Sequence, residues 1–275
     1  MEKIVLEKQD MTYLNWSKIR NSSGTAGSLL KSTEERFGRK IYYKLSDYDS
    51  IRGIVGHECV NEIIVDRMLD ILGIKHLSYR LIHADILING KRIETHLCAS
   101  DNFKLPGEQK RAFDNYYDDN RENNESPLEF CVRQGWENKI YEMFLVDYLV
   151  LNRDRHGANL EVLYNSKTGE TRLAPLFDHG LSFLCRCLTT EEIESFDVKK
   201  DRRVQSFLGS GSAYENLLLI PKDKMPNVNS LKETDRELLF AGLKEIVPEC
   251  LLNKIWEMLW VRWCQFEDLR NKERI

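Results

Sequence analysis

The sequence lacks a hydrophobic segment long enough to cross a membrane. Its 275 residues contain no apolar run close to the roughly 20 that a spanning helix needs. The longest such run, Met143 to Leu151, carries Asp147. The N-terminus also lacks a signal-peptide core. We therefore expect a cytoplasmic protein without membrane contact; a secreted effector that used a non-standard export route would have the same features.

The sequence has few features of a metal-clip, disulfide-bonded or nucleic-acid-binding protein. Its seven cysteines include no Cys-x-x-Cys pair and no metal-like spacing with histidine, so we expect reduced, mostly buried thiols. The net charge of -4 is mild, and neither a basic stripe nor a helix-turn-helix pattern is present. We therefore expect no direct contact with nucleic acid, and any link to DNA would run through a protein partner.

The first third of the sequence predicts a small sheet with one helix. Apolar residues recur at helical spacing from His57 to Leu72, and Gly73 is placed to end that helix. Asn89-Gly90 is a strong hairpin signal, because both central positions of a type I′ turn need positive φ. The predicted strands are Ile41 to Leu45, Tyr79 to Ile88 and Lys91 to Cys98.

The remainder of the sequence predicts a polar connection followed by helices. Residues 100–127 are rich in Asp, Asn and Glu and are predicted to form a solvated loop or insertion. Residues 128–150 are predicted to form one or two helices, and 231–246 and 248–272 one helix each. A hairpin is predicted from 160–164 and 171–175. This order predicts an α+β, two-lobed, protein-kinase-like fold, with a small antiparallel sheet lobe and a larger helical lobe. The expected boundaries are 1–98 for the first lobe, 99–127 for the hinge and insertion, and 128–275 for the second lobe.

Two short motifs carry side chains suited to phosphoryl transfer. The first runs from Asn152 to Asn159 and places an asparagine five residues after Asp154; the second is Asp178-His179-Gly180. ATP-dependent transfer needs a carboxylate that orients and deprotonates the attacking hydroxyl, and an amide oxygen with a second carboxylate to hold the metal. We therefore predict Asp154 as the base, with Asn159 and Asp178 as metal ligands. The alternative for either motif alone is an Asx-rich turn.

Two further segments fit the same chemistry. Lys44, on a predicted strand, can contact phosphates if a helix glutamate fixes it, and Glu62 and Glu58 compete for that role. The second segment is rich in glycine and hydroxyl residues, which let backbone N–H groups approach phosphate. It is not a Walker A loop, because no Gly-Lys-Ser/Thr follows, and an ordinary surface loop is the alternative. Its candidate ATP-binding residues are Ser22, Ser23, Gly24, Thr25, Ala26, Gly27 and Ser28.

His156 and Arg153 lie beside the predicted base and have no single assignment. His156 either contacts the transferring phosphate or holds the catalytic loop by hydrogen bonding, and an ordinary structural histidine is an equal alternative. Arg153 either meets substrate or phosphate or lies on the solvated surface.

These motifs resemble those of the HipA-like serine/threonine kinases. Asn152-x-Asp154-x-His156-x-x-Asn159 is similar to their catalytic loop, and also to that of phosphoinositide 3- and 4-kinases. The stretch from Asn61-Glu62 to Leu72-Gly73-Ile74 looks like a helix of the HipA-like family, which favours Glu62 over Glu58. The segment from Ser22 to Ser28 is similar to the family's phosphate loop, particularly in short, CtkA-like members.

The resemblance implies a role for each matching residue. Asp154 is then the catalytic base, Asn159 and Asp178 bind Mg²⁺, and Lys44 contacts ATP phosphates while Glu62 orients it. Some HipA-like kinases phosphorylate a serine of their own phosphate loop, and the matching serines are Ser22, Ser23 and Ser28. Histidine at position 179 departs from the Asp-Phe-Gly of ordinary protein kinases, so their activation rules are not transferred.

The expected function is ATP- and Mg²⁺-dependent phosphorylation of a protein serine or threonine, in a toxin or effector. The chain begins near the phosphate loop, without the family's extra N-terminal subdomain, so a stand-alone or separately encoded kinase is favoured; an antitoxin-like protein remains a candidate partner. The first alternative is a lipid or small-molecule kinase. The second is an ATP-binding pseudokinase with a regulatory role.

Overall fold

The computed structural model describes residues 3–17 and 29–271. The predicted phosphate loop, Ser22 to Ser28, lies outside the described residues. Within the described ranges, no helix is both long and apolar enough to cross a membrane.

The first part of the chain forms a five-stranded sheet with one helix packed against it. Its strands are β1 (Ile4–Asp10), β2 (Lys31–Arg36), β3 (Arg39–Leu45), β6 (Tyr79–Ile88) and β7 (Lys91–Asp101), in the order β1-β6-β7-β3-β2. The pairs are antiparallel except β1 with β6, which is parallel. A small hairpin, β4 (Tyr48–Asp49) and β5 (Gly53–Ile54), precedes helix α1 (Glu58–Leu72). The predicted sheet and helix are confirmed.

Local sequence signals explain the boundaries of these elements. Helix α1 ends at Gly73, whose φ of 75° lies in the left-handed region that glycine adopts without strain. Asn89 and Gly90 have φ of 50° and 78° and form the predicted type I′ turn. Phe37 and Gly38 repeat this geometry between β2 and β3, with φ of 50° and 73°.

The second part of the chain is mainly helical, with short strands around the motifs of residues 152–159 and 178–180. Its helices are α2 (Phe113–Asn120), α3 (Pro127–Arg133), α4 (Glu137–Val150), α5 (Thr190–Glu194), α6 (Ala213–Leu218), α7 (Asp235–Phe240) and α8 (Glu249–Asn271). Its strands are β8 (Glu108–Ala112), β9 (Asp154–Arg155), β10 (Glu161–Asn165), β11 (Thr171–Leu173) and β12 (Gln205–Ser206). They pair as β11-β10-β8 and β12-β9.

Of the two alternatives for residues 100–127, a loop and an insertion, the loop was wrong. This region contains β8 and α2, because Phe113 and Tyr117 are buried and pack edge-on against Phe130. Tertiary burial of two aromatic rings outweighs the polar composition of the segment. A short turn remains, and Arg133 holds it through an ion pair with Glu125.

The predicted helix over 231–246 was too long. The structure has only α7, which ends just before Gly242 at a positive φ of 74°. Ala241 already leaves the helical region with a ψ of 124°, and the left-handed Gly242 after it cannot resume a right-handed helix.

Candidate active site

Lys44 joins two carboxylates from different parts of the chain. Its Nζ lies 3.1 Å from Oε1 of Glu62 in α1 and 2.8 Å from Oδ1 of Asp178. The second Glu62 oxygen accepts the backbone N–H of His179 at 3.0 Å. Glu62 therefore links β3 to the segment that contains Asp178.

The electrostatics of this cluster favour a charged lysine. Burial works against charge on Lys44, but the nearby carboxylates of Asp178 and Glu62 outweigh it and raise the lysine pKa well above its ordinary value. Burial raises the pKa of Glu62, and the attraction of Lys44 opposes that change. We expect the ammonium to stay charged throughout the physiological pH range.

Glu58 has a different role from Glu62. Its Oε2 accepts the backbone N–H of Asp47 at 3.1 Å, just after β3. Its Oε1 is buried and, within the described residues, has no hydrogen-bond partner, and burial raises the pKa of this carboxyl. The structure thus separates the two competing glutamates, because Glu62 pairs with Lys44 and Glu58 binds a backbone amide.

Asp154 is held by asparagines on both sides. Asn152 accepts the Asp154 backbone N–H at 3.3 Å and donates to Oδ1 of Asp147 at 2.9 Å. Asn159 donates from Nδ2 to the Asp154 carbonyl at 2.8 Å and to its Oδ2 at 3.3 Å. The predicted base and the predicted metal ligand are therefore direct neighbours in one folded loop.

Arg155 fastens the two motifs together, a role that the sequence analysis missed. Its side chain is buried and forms a two-pronged ion pair with Asp147 at 2.9 Å. Its Nη1 donates to the carbonyls of Asn159 at 3.1 Å and Phe177 at 3.0 Å. One guanidinium thus fixes the backbone at Asn159 and just before Asp178. The signal for this pair was Asp147, a lone charge inside an apolar run.

His156 holds the loop through its own ring. Nδ1 accepts the backbone N–H of Ala158 at 3.1 Å, and Nε2 lies 3.6 Å from Oδ1 of Asp154. A side chain at Gly157 would clash, because a Cβ there would lie 2.7 Å from the Cβ of Asp114. The predicted loop-holding role of His156 fits these contacts.

The Asp178-His179-Gly180 segment is shaped by neighbours from the first part of the chain. Asp178 has a φ of 62°, and its N–H donates to the Tyr79 hydroxyl at 3.2 Å. Asn61, also missed by the sequence analysis, donates from Nδ2 to the carbonyls of Gly180 at 2.9 Å and Ser182 at 2.8 Å. Helix α1 therefore positions this segment through both Glu62 and Asn61.

A cavity of about 360 Å³ opens between the two parts of the chain at these residues. Its lining includes Lys44, Tyr79 and Asp178 and the connection from Asp101 to Lys104. The rings of Phe103 and Phe177 lie 5.6 Å apart on its wall. The lining combines aromatic rings with charged side chains, and the base and the phosphates of a nucleotide need these two kinds of surface.

Asp178, which lines this cavity, and Asn159 of the adjoining loop carry side chains that suit a magnesium ion. Asp178 offers carboxylate oxygens and Asn159 an amide oxygen, the hard ligands that Mg²⁺ prefers. The Asn159 amide is oriented by the two hydrogen bonds from its Nδ2. The position of the predicted phosphate loop relative to this site lies outside the described residues.

Comparison with known proteins gives a fold but no sequence family. No protein-family model matches the sequence, and no curated protein sequence does. The structure is similar to the Helicobacter pylori proinflammatory kinase CtkA, with a TM-score of 0.63, 15% identity and 96% of each chain covered. A chain from the Shewanella oneidensis MR-1 toxin–antitoxin complex of HipA, HipB and operator DNA aligns with a TM-score of 0.39 and 16% identity, over 92% of this chain and 60% of that one. The chain therefore has the α+β, two-lobed fold of CtkA.

Proposed function

We propose that this protein is an ATP- and Mg²⁺-dependent kinase that phosphorylates a serine or threonine of a protein. The observation that carries the proposal is the single cluster of Lys44, Glu62 and Asp178, with Asp154 and Asn159 tied together in the adjoining loop. The fold of CtkA supports phosphoryl transfer as the reaction class.

The side chains have distinct roles in the proposed reaction. Asp154 accepts the proton of the acceptor hydroxyl as its oxygen attacks the γ-phosphorus, and the bond between that phosphorus and the β,γ-bridging oxygen breaks. Lys44 neutralises phosphate charge, and Glu62 keeps its ammonium in place. Asp178 and Asn159 would hold Mg²⁺, which neutralises charge on the phosphates when it is bound.

Arg155 and His156 act by positioning. Arg155 keeps the base and the ligand residues in register through its two carbonyl contacts. His156 restrains the turn beside Asp154. This agrees with a reaction in which catalysis comes mainly from orientation and charge neutralisation.

The remaining sequence predictions are part of this proposal. Residues 22–28 would cover the ATP phosphates, with Ser22, Ser23 or Ser28 as sites of autophosphorylation. An antitoxin-like protein stays a candidate partner on the basis of the sequence resemblance. A non-protein acceptor and an ATP-binding pseudokinase are the competing functions, and the first experiment separates them.

The test is transfer of label from γ-labelled ATP, with Mg²⁺, to the chain itself or to a generic protein acceptor. Wild type is compared with Asp154→Asn, which keeps the size of the side chain but cannot take a proton. Label that is present with wild type and lost in the variant is expected. A folded, unmodified wild type that binds ATP yet labels no protein would refute the protein-kinase assignment; label on a lipid or small molecule would then reassign the acceptor, and none anywhere would indicate a pseudokinase.

A further inference from the structure

Strand β12 runs directly beside the residue that we propose as the base. Gln205 pairs with Asp154, and Ser206 pairs with Arg155, in a parallel two-stranded sheet. The Gln205 N–H donates to the Arg153 carbonyl at 3.0 Å. Directly paired residues of neighbouring strands project to the same face. The exposed Gln205 therefore shares the face of Asp154, and Ser206 shares that of the buried Arg155.

The segment that enters β12 is rich in unpaired positive charge. Lys199, Lys200 and Arg203 are exposed, and within residues 3–17 and 29–271 their side chains form no ion pair or hydrogen bond. Arg203 precedes Gln205 by two positions, and the buried Val204 lies between these two exposed residues. A cationic residue thus lies two positions before the residue that pairs with Asp154.

This surface is fixed by contacts with the body of the protein. Val198, Val204 and Leu208 are buried. The Val204 N–H donates to the Gly211 carbonyl at 2.9 Å, and the Arg202 guanidinium lies 4.1 Å from the centre of the Phe196 ring. A preformed surface loses little conformational entropy when a ligand binds.

Cations outnumber acids where this segment enters β12, because residues 199–203 contain four cations and one acid, Asp201. Asp197 accepts the backbone N–H of Lys199, and Asp201 accepts the hydroxyl of Ser212. Glu191 and Glu194 precede the segment on α5, so the positive charge is concentrated at the end that enters β12.

Helix α2 forms the neighbouring wall, through contacts of Phe207 with Phe113 and Tyr117. Two of its acids are paired, Asp119 with Arg111 and Asp118 with Arg121. Asp114, the third acid of this helix, lies against Gly157 of the catalytic loop. Among the described residues, Asp114 is thus the one acid of this helix without an ion pair.

We propose that Lys199, Lys200, Arg203 and Gln205 form the docking surface for the acceptor, and that the acceptor serine or threonine lies in an acidic peptide segment. The inference rests on the proposed kinase function. Carboxylates of the acceptor segment would pair with the three cations, and the Gln205 amide would hydrogen-bond the peptide beside the attacking hydroxyl.

The test uses full-length protein and three synthetic peptides, each with one serine flanked by glutamates, by lysines or by neutral residues. The kcat/KM of wild type is expected to be about tenfold higher for the acidic peptide, because each exposed ion pair contributes only a small factor. The variant Lys199→Glu/Lys200→Glu/Arg203→Glu is expected to lose that preference, mainly through KM. Arg203→Lys in the wild-type background is expected to keep most of it.

A matched control separates the effect of charge at the docking surface from the effect of the net charge of the protein. Lys91, Lys167 and Lys244 are exposed and line none of the site, so changing all three to glutamate alters the net charge equally. This control is expected to keep the acidic preference. Equal use of all three peptides by wild type, or equal loss in the control, would overturn the docking proposal.

A binding measurement keeps the two proposals distinguishable. Fluorescence anisotropy of a labelled acidic peptide reports docking without turnover. If wild type labels no acceptor at all, the kinase proposal fails. The docking surface is then still tested, because binding that is no weaker in the triple variant than in wild type would refute it.

Discussion

At the scale of single residues, the site depends on a few side chains that each join two segments. The sequence indicated those that resemble a chemical motif, among them Lys44, Glu62 and Asp178. It did not indicate Arg155, whose function depends on the carbonyls of Asn159 and Phe177. Carbonyl groups are present at every residue, so no sequence pattern marks which two of them an arginine will reach.

Arg155→Met is predicted to destabilise the fold by about 3–5 kcal/mol, because Asp147 would be left as an uncompensated buried charge. Adding Asp147→Leu removes that charge and is expected to restore most of the free energy of unfolding. Activity is not expected to return, since the tie between Asn159 and Phe177 is still missing. Chemical denaturation and transfer assays on both variants check this; a double variant with wild-type kcat would contradict the positioning role.

Glu62→Gln and Glu58→Gln provide a matched pair one helical turn apart. Glu62→Gln is predicted to lower kcat about 10²-fold or more, because the Lys44 ammonium loses a charged partner. Glu58→Gln is predicted to change kcat less than threefold, since a carbonyl oxygen can still accept the Asp47 N–H. Steady-state kinetics of the two proteins decide the point, and equal losses would contradict it.

At the scale of elements, strong local signals predicted structure well and burial decided the rest. The helix ending at Gly73 and the Asn89-Gly90 hairpin follow from spacing and backbone conformation. Helix α2 could not be predicted in the same way, because the partners of Phe113 and Tyr117 come from distant positions in the chain. Local composition carries no information on which distant rings will meet.

Exchanging the first residues of the two type I′ turns, Phe37 and Asn89, is predicted to have opposite effects on the free energy of unfolding. Phe37 adopts a left-handed conformation that suits asparagine, and its side chain is fully exposed, so no packing would be lost. Phe37→Asn is predicted to raise the free energy of unfolding by about 1 kcal/mol, and Asn89→Phe to lower it by a similar amount. Thermal melts of both variants test this, and a loss of stability in Phe37→Asn would be inconsistent with it.

Because His76 follows α1 in a buried, hydrogen-bonded position, we predict that the free energy of unfolding depends on pH. Burial opposes protonation, but the hydrogen bonds to Asp66 and to the Ile74 carbonyl and the charges of Asp66 and Asp70 together outweigh it, and the His76 pKa is raised above its ordinary value. The folded protein therefore holds this proton more tightly than the unfolded chain does. The resulting stabilisation is full below about pH 6.5 and is lost as the pH rises through the folded-state pKa.

Replacing His76 with asparagine is accordingly predicted to lower stability by about 1–2 kcal/mol at pH 5.5 and by less at pH 9. Denaturant unfolding at the two pH values gives the comparison. The same loss at both would mean that the interaction does not involve a charged histidine.

At the scale of the whole molecule, the cavity lies between the sheet and the helical part, so a ligand there contacts both. ATP with Mg²⁺ at 100 times its dissociation constant is predicted to add about 2.7 kcal/mol to the free energy of unfolding. Lys44→Met is expected to lose most of this increment relative to its own ligand-free state, and a chelator to reduce it in wild type. An undiminished increment in Lys44→Met would argue against phosphate contact by Lys44.

The contact between Lys44 and Asp178 has a consequence for the order in which ligands bind. The lysine ammonium rests against the carboxylate that would hold the metal. A metal ion arriving alone must compete with that ammonium and offers it no new partner. Nucleotide phosphates do offer the ammonium a new partner. Binding of each ligand therefore makes the binding free energy of the other more favourable. Metal and nucleotide should therefore bind synergistically. Free Mg²⁺ should bind weakly, and the two ligands together should bind far more tightly than their separate affinities imply.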